Sequence, residues 1–331
     1  VTTMVADLHP DTANPESAGP AGRPPRLLLI GIALATVYLI WGSTYLGIRV
    51  MVEDMPPLVA AGTRFLLAGV LLAGVLSLRG GWRRLRVDRA QLASCALLGM
   101  LLPVLGQGMV TVAESGGAPS GLTALLVAGV PLWVLLYRRA SGERPARAAV
   151  LGAVVGFVGL AGLLIANGGN TGFPFWTVCL VVFATVAWAF GSWYQPRLRL
   201  PRDPFVTTVY EMLIGGAVLT AVGLGSGERF EPAMYAAGSW IAWAYLVVFG
   251  SVIAFSAYVW LLASAPVSLV ATYAYVNPLV ALLLGRLILD EAVTAPIVVG
   301  GAVVLLAVAI VVKAERPRRP RDAPASEPTV Q

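Results

Sequence analysis

Long uncharged apolar runs alternate with short polar joins from about residue 27 to about residue 312. Ten runs can be marked, at roughly 27–47, 57–78, 91–112, 119–137, 147–166, 174–195, 205–225, 238–260, 266–285 and 294–312. Each is long enough to cross about 30 Å of hydrocarbon as a helix. The alternating ten-residue segments of a membrane barrel do not occur. The pattern predicts an all-α membrane protein with ten transmembrane helices. Pro103, Pro131 and Pro278 fall inside runs, where they predict helix kinks rather than ends. The joins at Pro56-Pro57, Ser115-Gly116-Gly117 and Ala263-Ser264-Ala265 are short enough to force antiparallel hairpins. Residues 1–26 and 313–331 are Pro-rich and polar, and they read as disordered tails with no signal-peptide pattern.

The runs are duplicated. Ala265 to Asp290 aligns with Ala118 to Glu143, and nine of 26 positions are identical. The matches include two prolines 12 residues apart in each copy (Pro119 and Pro131, Pro266 and Pro278) and the basic pair Arg139 and Arg286. Shared Leu and Ala carry little information in a chain that is 58% hydrophobic, so the prolines and arginines carry the argument. Ala35-Thr36-Val37 with Gly42-Ser43 and Tyr45 are echoed by Ala184-Thr185-Val186 with Gly191-Ser192 and Tyr194. The two units are 27–166 and 174–312. An odd number of spans per unit makes the second unit enter from the opposite side, so the units are inverted five-helix repeats. Such repeats place a substrate site near the midplane where they meet.

Charge sets the expected orientation. Placing the N-terminus inside puts 19 Lys and Arg residues in cytoplasmic segments and three outside (Arg49, Arg229 and Arg286), with Arg64 within a span. By the positive-inside rule both termini are cytoplasmic. The net charge of +6 is thereby accounted for by loops and tails, without nucleic acid as a partner. His9, the only histidine, lies in a tail and Lys313, the only lysine, lies beyond the last span, so Ser–His and Ser–Lys chemistry in the bilayer is excluded. Cys95 and Cys179 give neither a disulfide framework nor metal-ligand spacing. Neither a catalytic residue, a metal nor a cofactor is expected.

Trp41-Gly42-Ser43-Thr44-Tyr45, Arg64-Phe65, the Pro131 helix followed by Gly142-Glu143-Arg144, and the Asn277-Pro278 helix followed by Asp290-Glu291 resemble the drug/metabolite transporter superfamily. The chain looks like its ten-span exporters with two EamA domains, close to the bacterial inner-membrane branch. The resemblance implies a cavity walled by spans one to four and six to nine, with spans five and ten outside it. It implies alternating-access export of a small-molecule substrate, amino acids and amphipathic cations included, through the bilayer of the inner membrane. An importer or facilitator of the same fold, and a non-transporting membrane protein, remain alternatives. This chain has Leu289-Asp290-Glu291 where many members carry a Gly-Glu pair.

Ionisable groups within spans are costly to bury and are functional candidates by default. Arg64 and Glu211 stand 147 residues apart at corresponding repeat positions, with opposite charge. Each also fits a structural role against backbone groups. Glu211 additionally fits proton coupling, and Glu114, near the outer end of span three, fits either an interfacial acid or a gate. Candidates for the substrate pathway are Trp41, Tyr45, Arg64, Gln107, Trp188, Tyr194, Tyr210, Glu211, Tyr258, Tyr273, Tyr275 and Asn277. Glu53-Asp54, Glu228, Glu231 and Asp290-Glu291 read as solvated loop charges. Gly152-x-x-x-Gly156 is a close-packing signal that leaves monomer and homodimer both open.

Overall fold

The computed structural model describes residues 26–144, 146–167 and 174–315. The tails expected to be disordered lie almost wholly outside the described residues. Among the described residues the regular structure is entirely helical. The chain runs through α1 (Arg26–Met51), α2 (Pro57–Gly80), α3 (Arg89–Ser115), α4 (Ser120–Ala140) and α5 (Arg147–Asn167). It continues through α6 (Phe175–Arg197), α7 (Pro204–Gly225), α8 (Ala237–Ser264), α9 (Val267–Val270 and Tyr273–Ile288) and α10 (Ala295–Glu315). Seven of these are long and apolar enough to cross a membrane by length and composition, and shorter apolar helices within α5, α9 and α10 complete the set.

The packing shows how the units are related. A Cβ built on Gly69 of α2 would fall 2.9 Å from Leu213 Cδ2 of α7, and one on Gly216 of α7 would fall 2.7 Å from the Leu66 nitrogen. Gly69 and Gly216 are 147 residues apart, and so are Leu66 and Leu213. The two contacts are images of each other. Contacts also run from Val59 to Gly223 at one end of α2 and from Leu72 to Val209 toward the other, so α2 and α7 are antiparallel. Equivalent helices crossing head to tail are what a twofold axis in the membrane plane produces. The α5–α10 pair behaves alike: Gly152 and Gly156 face Ala307, and Gly159 faces Val303.

The close-packing signal at Gly152 and Gly156 is met by contacts within the chain. The small residues admit α10 of the same chain, with Leu132 of α4 alongside, so this glycine stripe is covered within the protomer. Close approach of backbones through small residues is the general device of membrane packing, and here it is spent internally.

Proline acts differently at its three positions. Pro103 sits in a wide-turned, π-helical stretch of α3, Met100–Gly108. A second such stretch, Leu246–Phe255, occupies the matching part of α8 and contains no proline. Pro131 opens the second half of α4 after an interruption at Ala128-Gly129. Pro278 lies within a continuous helix, and the break in α9 comes earlier, at Ala271-Thr272. The break in α9 is thus displaced upstream of the proline that the sequence pattern marks as the kink.

The loops gather on two faces. The basic face carries the α2–α3, α4–α5 and α6–α7 joins. Its contacts between units include the ion pairs Arg84–Asp203, Arg199–Asp88 (3.2 Å) and Arg197–Glu143 (3.4 Å). The Arg199–Asp88 side chains are 74% and 45% exposed, and exposed pairs of this kind contribute about 0–1 kcal/mol.

The opposite face is held differently, and three acids expected to be solvated turn out to cap helices across the interface. Glu228, after α7, accepts from Leu58 N (3.1 Å) and Val59 N (2.8 Å) at the start of α2. Glu291, after α9, accepts from Ser120 N (2.9 Å), Ser120 Oγ (2.8 Å) and Gly121 N at the start of α4. Asp54, after α1, accepts from Ala236 N (2.6 Å) and Ser239 Oγ at the start of α8. The first turn of a helix has unsatisfied N–H donors and a partial positive charge, so a carboxylate there is stabilising. Local spacing could not reveal these caps, because donor and acceptor are 169 to 185 residues apart.

Glu291→Ala is expected to lower the melting temperature of the detergent-purified protein, by an amount corresponding to about 1 kcal/mol. Glu53→Ala, at an exposed neighbouring acid without such bonds, is the control and should leave melting unchanged.

Candidate functional site

The site forms where the units meet, from side chains that the twofold brings face to face. Trp41 of α1 and Trp188 of α6 are again 147 residues apart, and their rings touch edge to face at 5.5 Å. Each leans on the widened stretch of the opposite unit. Trp41 Nε1 donates to the Gly250 carbonyl (3.3 Å), and Trp188 lies against Gly106, where a Cβ would fall 2.6 Å from the indole. Glycine at 106 is what admits the indole. Tyr258 and Tyr273 close the cluster at 4.8 and 5.5 Å from Trp41. The Tyr258 hydroxyl accepts from Trp188 Nε1 (3.1 Å) and bonds Ser192 Oγ (2.7 Å), so its polar tip is satisfied within the protein.

Two adjoining cavities flank this cluster. The larger, a narrow space of about 20 Å³, is lined by Trp41, Thr44, Tyr45, Gly106, Gln107, Val110, Val127, Val130, Ala184, Thr185, Trp188 and Tyr273. The smaller, about 10 Å³ and so roomy enough for about one water, is lined by Trp41, Thr44, Arg64, Phe65, Gln107, Gly250, Ser251 and Phe255. Trp41, Thr44 and Gln107 belong to both. Helices α1–α4, α6, α8 and α9 supply the walls, while α5 and α10 stay outside. The lining is mostly apolar with a few polar groups, the general make-up of a small-molecule site.

Of the residues singled out from the sequence, the structure brings together Trp41, Tyr45, Arg64, Gln107, Trp188 and Tyr273 at the cavities, with Tyr258 behind them. The rest lie apart. Tyr194 stacks on Phe190 (5.5 Å) near the basic end of α6, and Tyr210 donates to the Leu85 carbonyl (2.7 Å) under the α2–α3 join. The Asn277 amide, with its nitrogen turned toward them, reaches the carbonyls of Tyr38 (3.1 Å) and Tyr273 (3.3 Å), tying α9 to α1. The Tyr275 side chain lies outside the described residues.

Glu114 and Glu211 are fully buried, and neither is in the lining of these two cavities. Both oxygens of each carboxyl lack a hydrogen-bond partner, and neither joins an ion pair among the described residues. Glu114 ends α3, where its carbonyl accepts from Arg49 Nη1 (2.7 Å). Glu211 packs its backbone against Gly99 of α3 and sits near Cys95 and Tyr258. Arg64, its repeat counterpart, is 3% exposed and lies with its guanidinium over Phe65 at 4.4 Å. The two do not pair.

Sequence reasoning passed over Ser251, Thr44, Thr185, Phe65 and Phe255 as site residues. For Ser251 a usable signal existed: it is a hydroxyl next to Gly250 in the middle of an otherwise apolar run.

Fold and site together define a multi-pass helical membrane protein with small internal cavities between inverted units. The EamA-like transporter family matches residues 28–165 and 175–313, and the chain belongs to this family. It is 42% identical over 260 residues to an uncharacterized inner membrane transporter of Escherichia coli K12, YedA, covering 78% of this chain and 83% of that protein. It is 25% identical over 286 residues to YvbV, an uncharacterized transporter of Bacillus subtilis, covering 85% and 90% of the two chains. A solved crystal structure superposes with a TM-score of 0.61 over 85% of this chain and 96% of its own, at 21% identity, which shows the fold alone.

Proposed function

We propose that the protein is a secondary transporter of the inner membrane that exports small amphipathic solutes by alternating access. The observation that carries this reading is the pair of cavities between the inverted units, with Trp41 and Trp188 in contact at the larger one. A chamber placed there can be opened to either side by rocking the units. Family membership supports transport, and the name of the Escherichia coli relative supports the inner membrane. The excess of Arg on one face supports a cytoplasmic location for both termini.

The two faces are suited to opening in turn. Exposed ion pairs can exchange partners with water at small cost. The three carboxylate caps on the other face hold it more firmly, and they are the bonds that release to the outside must break. Energy comes from ion gradients, with Glu211 as the proton-carrying group.

Purified protein in liposomes of defined orientation, tested by counterflow against a panel of labelled metabolites, is expected to show saturable flux. The flux should run from the basic face outward. Flux in the opposite direction alone would make the protein an importer, and none for any solute would remove transport.

A further inference from the structure

We propose that the smaller cavity is a carboxylate site and that the transported solutes are organic carboxylates with an apolar body, Arg64 being the residue that selects them. The inference rests on the transport reading above for its functional meaning, but the binding site stands on its own geometry.

The smaller cavity contains the only charged side chain lining either cavity among the described residues, and that charge is positive. Arg64 is 97% buried by its 3% exposure, its Nε has no hydrogen-bond partner, and no carboxylate lies within ion-pairing distance. Glu114, the acid whose field reaches it, does not touch it. Two further polar groups face the same space. These are the Gln107 amide and the Ser251 hydroxyl, both of which border the cavity. A guanidinium with an unpartnered Nε, an amide and a hydroxyl therefore line one volume.

Buried donors without partners are costly, and a buried unpaired charge more so. An anion in the cavity offsets the cost at Arg64. The guanidinium presents parallel N–H groups that match the two oxygens of a carboxylate. The adjoining larger cavity is walled in part by Val110, Val127, Val130, Trp188 and Tyr273, apolar surface that would receive the solute's body as the units rock apart, and its lining holds no anion to balance a cation's charge. Aromatic faces alone would favour a cation, but the fixed positive charge next to them repels one.

The test is a matched series with one body and three heads: 3-phenylpropionate, 3-phenylpropanamide and 3-phenylpropylamine. Binding to the detergent-purified, full-length protein is read by thermal shift and calorimetry. Phenylpropionate should bind best. Arg64→Gln should weaken it by roughly 10- to 100-fold and remove the preference over the amide, and Arg64→Lys should recover part of it. Ser251→Ala and Gln107→Ala should each weaken the carboxylate alone, which keeps the test decisive if Arg64→Gln does not fold. Arg229→Gln, in a loop, should change nothing. Preference for the amine, carboxylate preference surviving Arg64→Gln, or no binding by any member overturns the proposal. Arg64-dependent binding without liposome flux would instead remove only the transport reading, and flux of the amine without the carboxylate would leave transport standing and remove this inference.

Discussion

Replacing Gly62 by valine is expected to abolish recovery of folded protein. Gly62 lies at the crossing of α2 and α7, where a Cβ would fall 2.5 Å from the Thr220 nitrogen and 2.8 Å from the Gly216 carbonyl oxygen. Those neighbours are backbone, so they cannot rotate away as a side chain would. Overpacking usually costs about 1–3 kcal/mol when side chains can adjust. Here the only adjustment is to push two helices apart along the pseudo-twofold, which also unseats Gly69 from Leu213 and Gly216 from Leu66. Gly74 of the same helix has nothing within 4 Å of a built Cβ, so Gly74→Ala should be neutral or stabilising. Size-exclusion profiles and melting in detergent separate the two. A monodisperse Gly62→Val protein with unchanged melting would remove the close crossing from this account.

Gradient-driven transport should be lost entirely in Glu211→Gln, while solute exchange at zero gradient continues. The carboxyl is fully buried, has no hydrogen-bond partner and meets no cation among the described residues. The titratable groups near it are Cys95 of α3 and Tyr258 of α8, and neither supplies a fixed positive charge. A group with no permanent partner in a dry interior is free to take up and release one as the surrounding helices move. Glutamine keeps the shape and removes the proton site. One proton crossing about 100 mV carries about 2.3 kcal/mol, roughly a 50-fold concentration ratio. The variant should therefore fall from accumulation of that order to simple equilibration, with or without an imposed pH difference. Unchanged accumulation in acid-loaded vesicles would exclude Glu211 from coupling and leave Glu114 as the remaining buried acid.

Much of the fold is readable along the chain. Membrane helices must satisfy their backbone internally, so apolar length alone marks them. The 147-residue offset seen in the Pro131 and Pro278 match reappears as touching pairs, Gly69 with Leu213 and Gly216 with Leu66. At that same offset, two tryptophans become neighbours on the axis. The aromatic candidates were harder to sort. Tyr194 and Tyr210 share spans with cavity residues, but helix rotation sets which side of a span faces inward, and nearly uniform apolar helices carry little record of rotation.

By itself, the amino-acid sequence determined the number of helices, their inversion and the excess of positive charge on one face, because these follow from hydrocarbon thickness, an odd repeat and loop composition. Tertiary structure alone decided that Arg64 stands unpaired beside Gln107 and Ser251, that Glu211 is walled off from it, and that Asp54, Glu228 and Glu291 clamp helix ends in the opposite unit. The reason is physical: charge compensation in a low-dielectric interior depends on distances of a few ångströms between residues far apart along the chain, and only packing sets those distances.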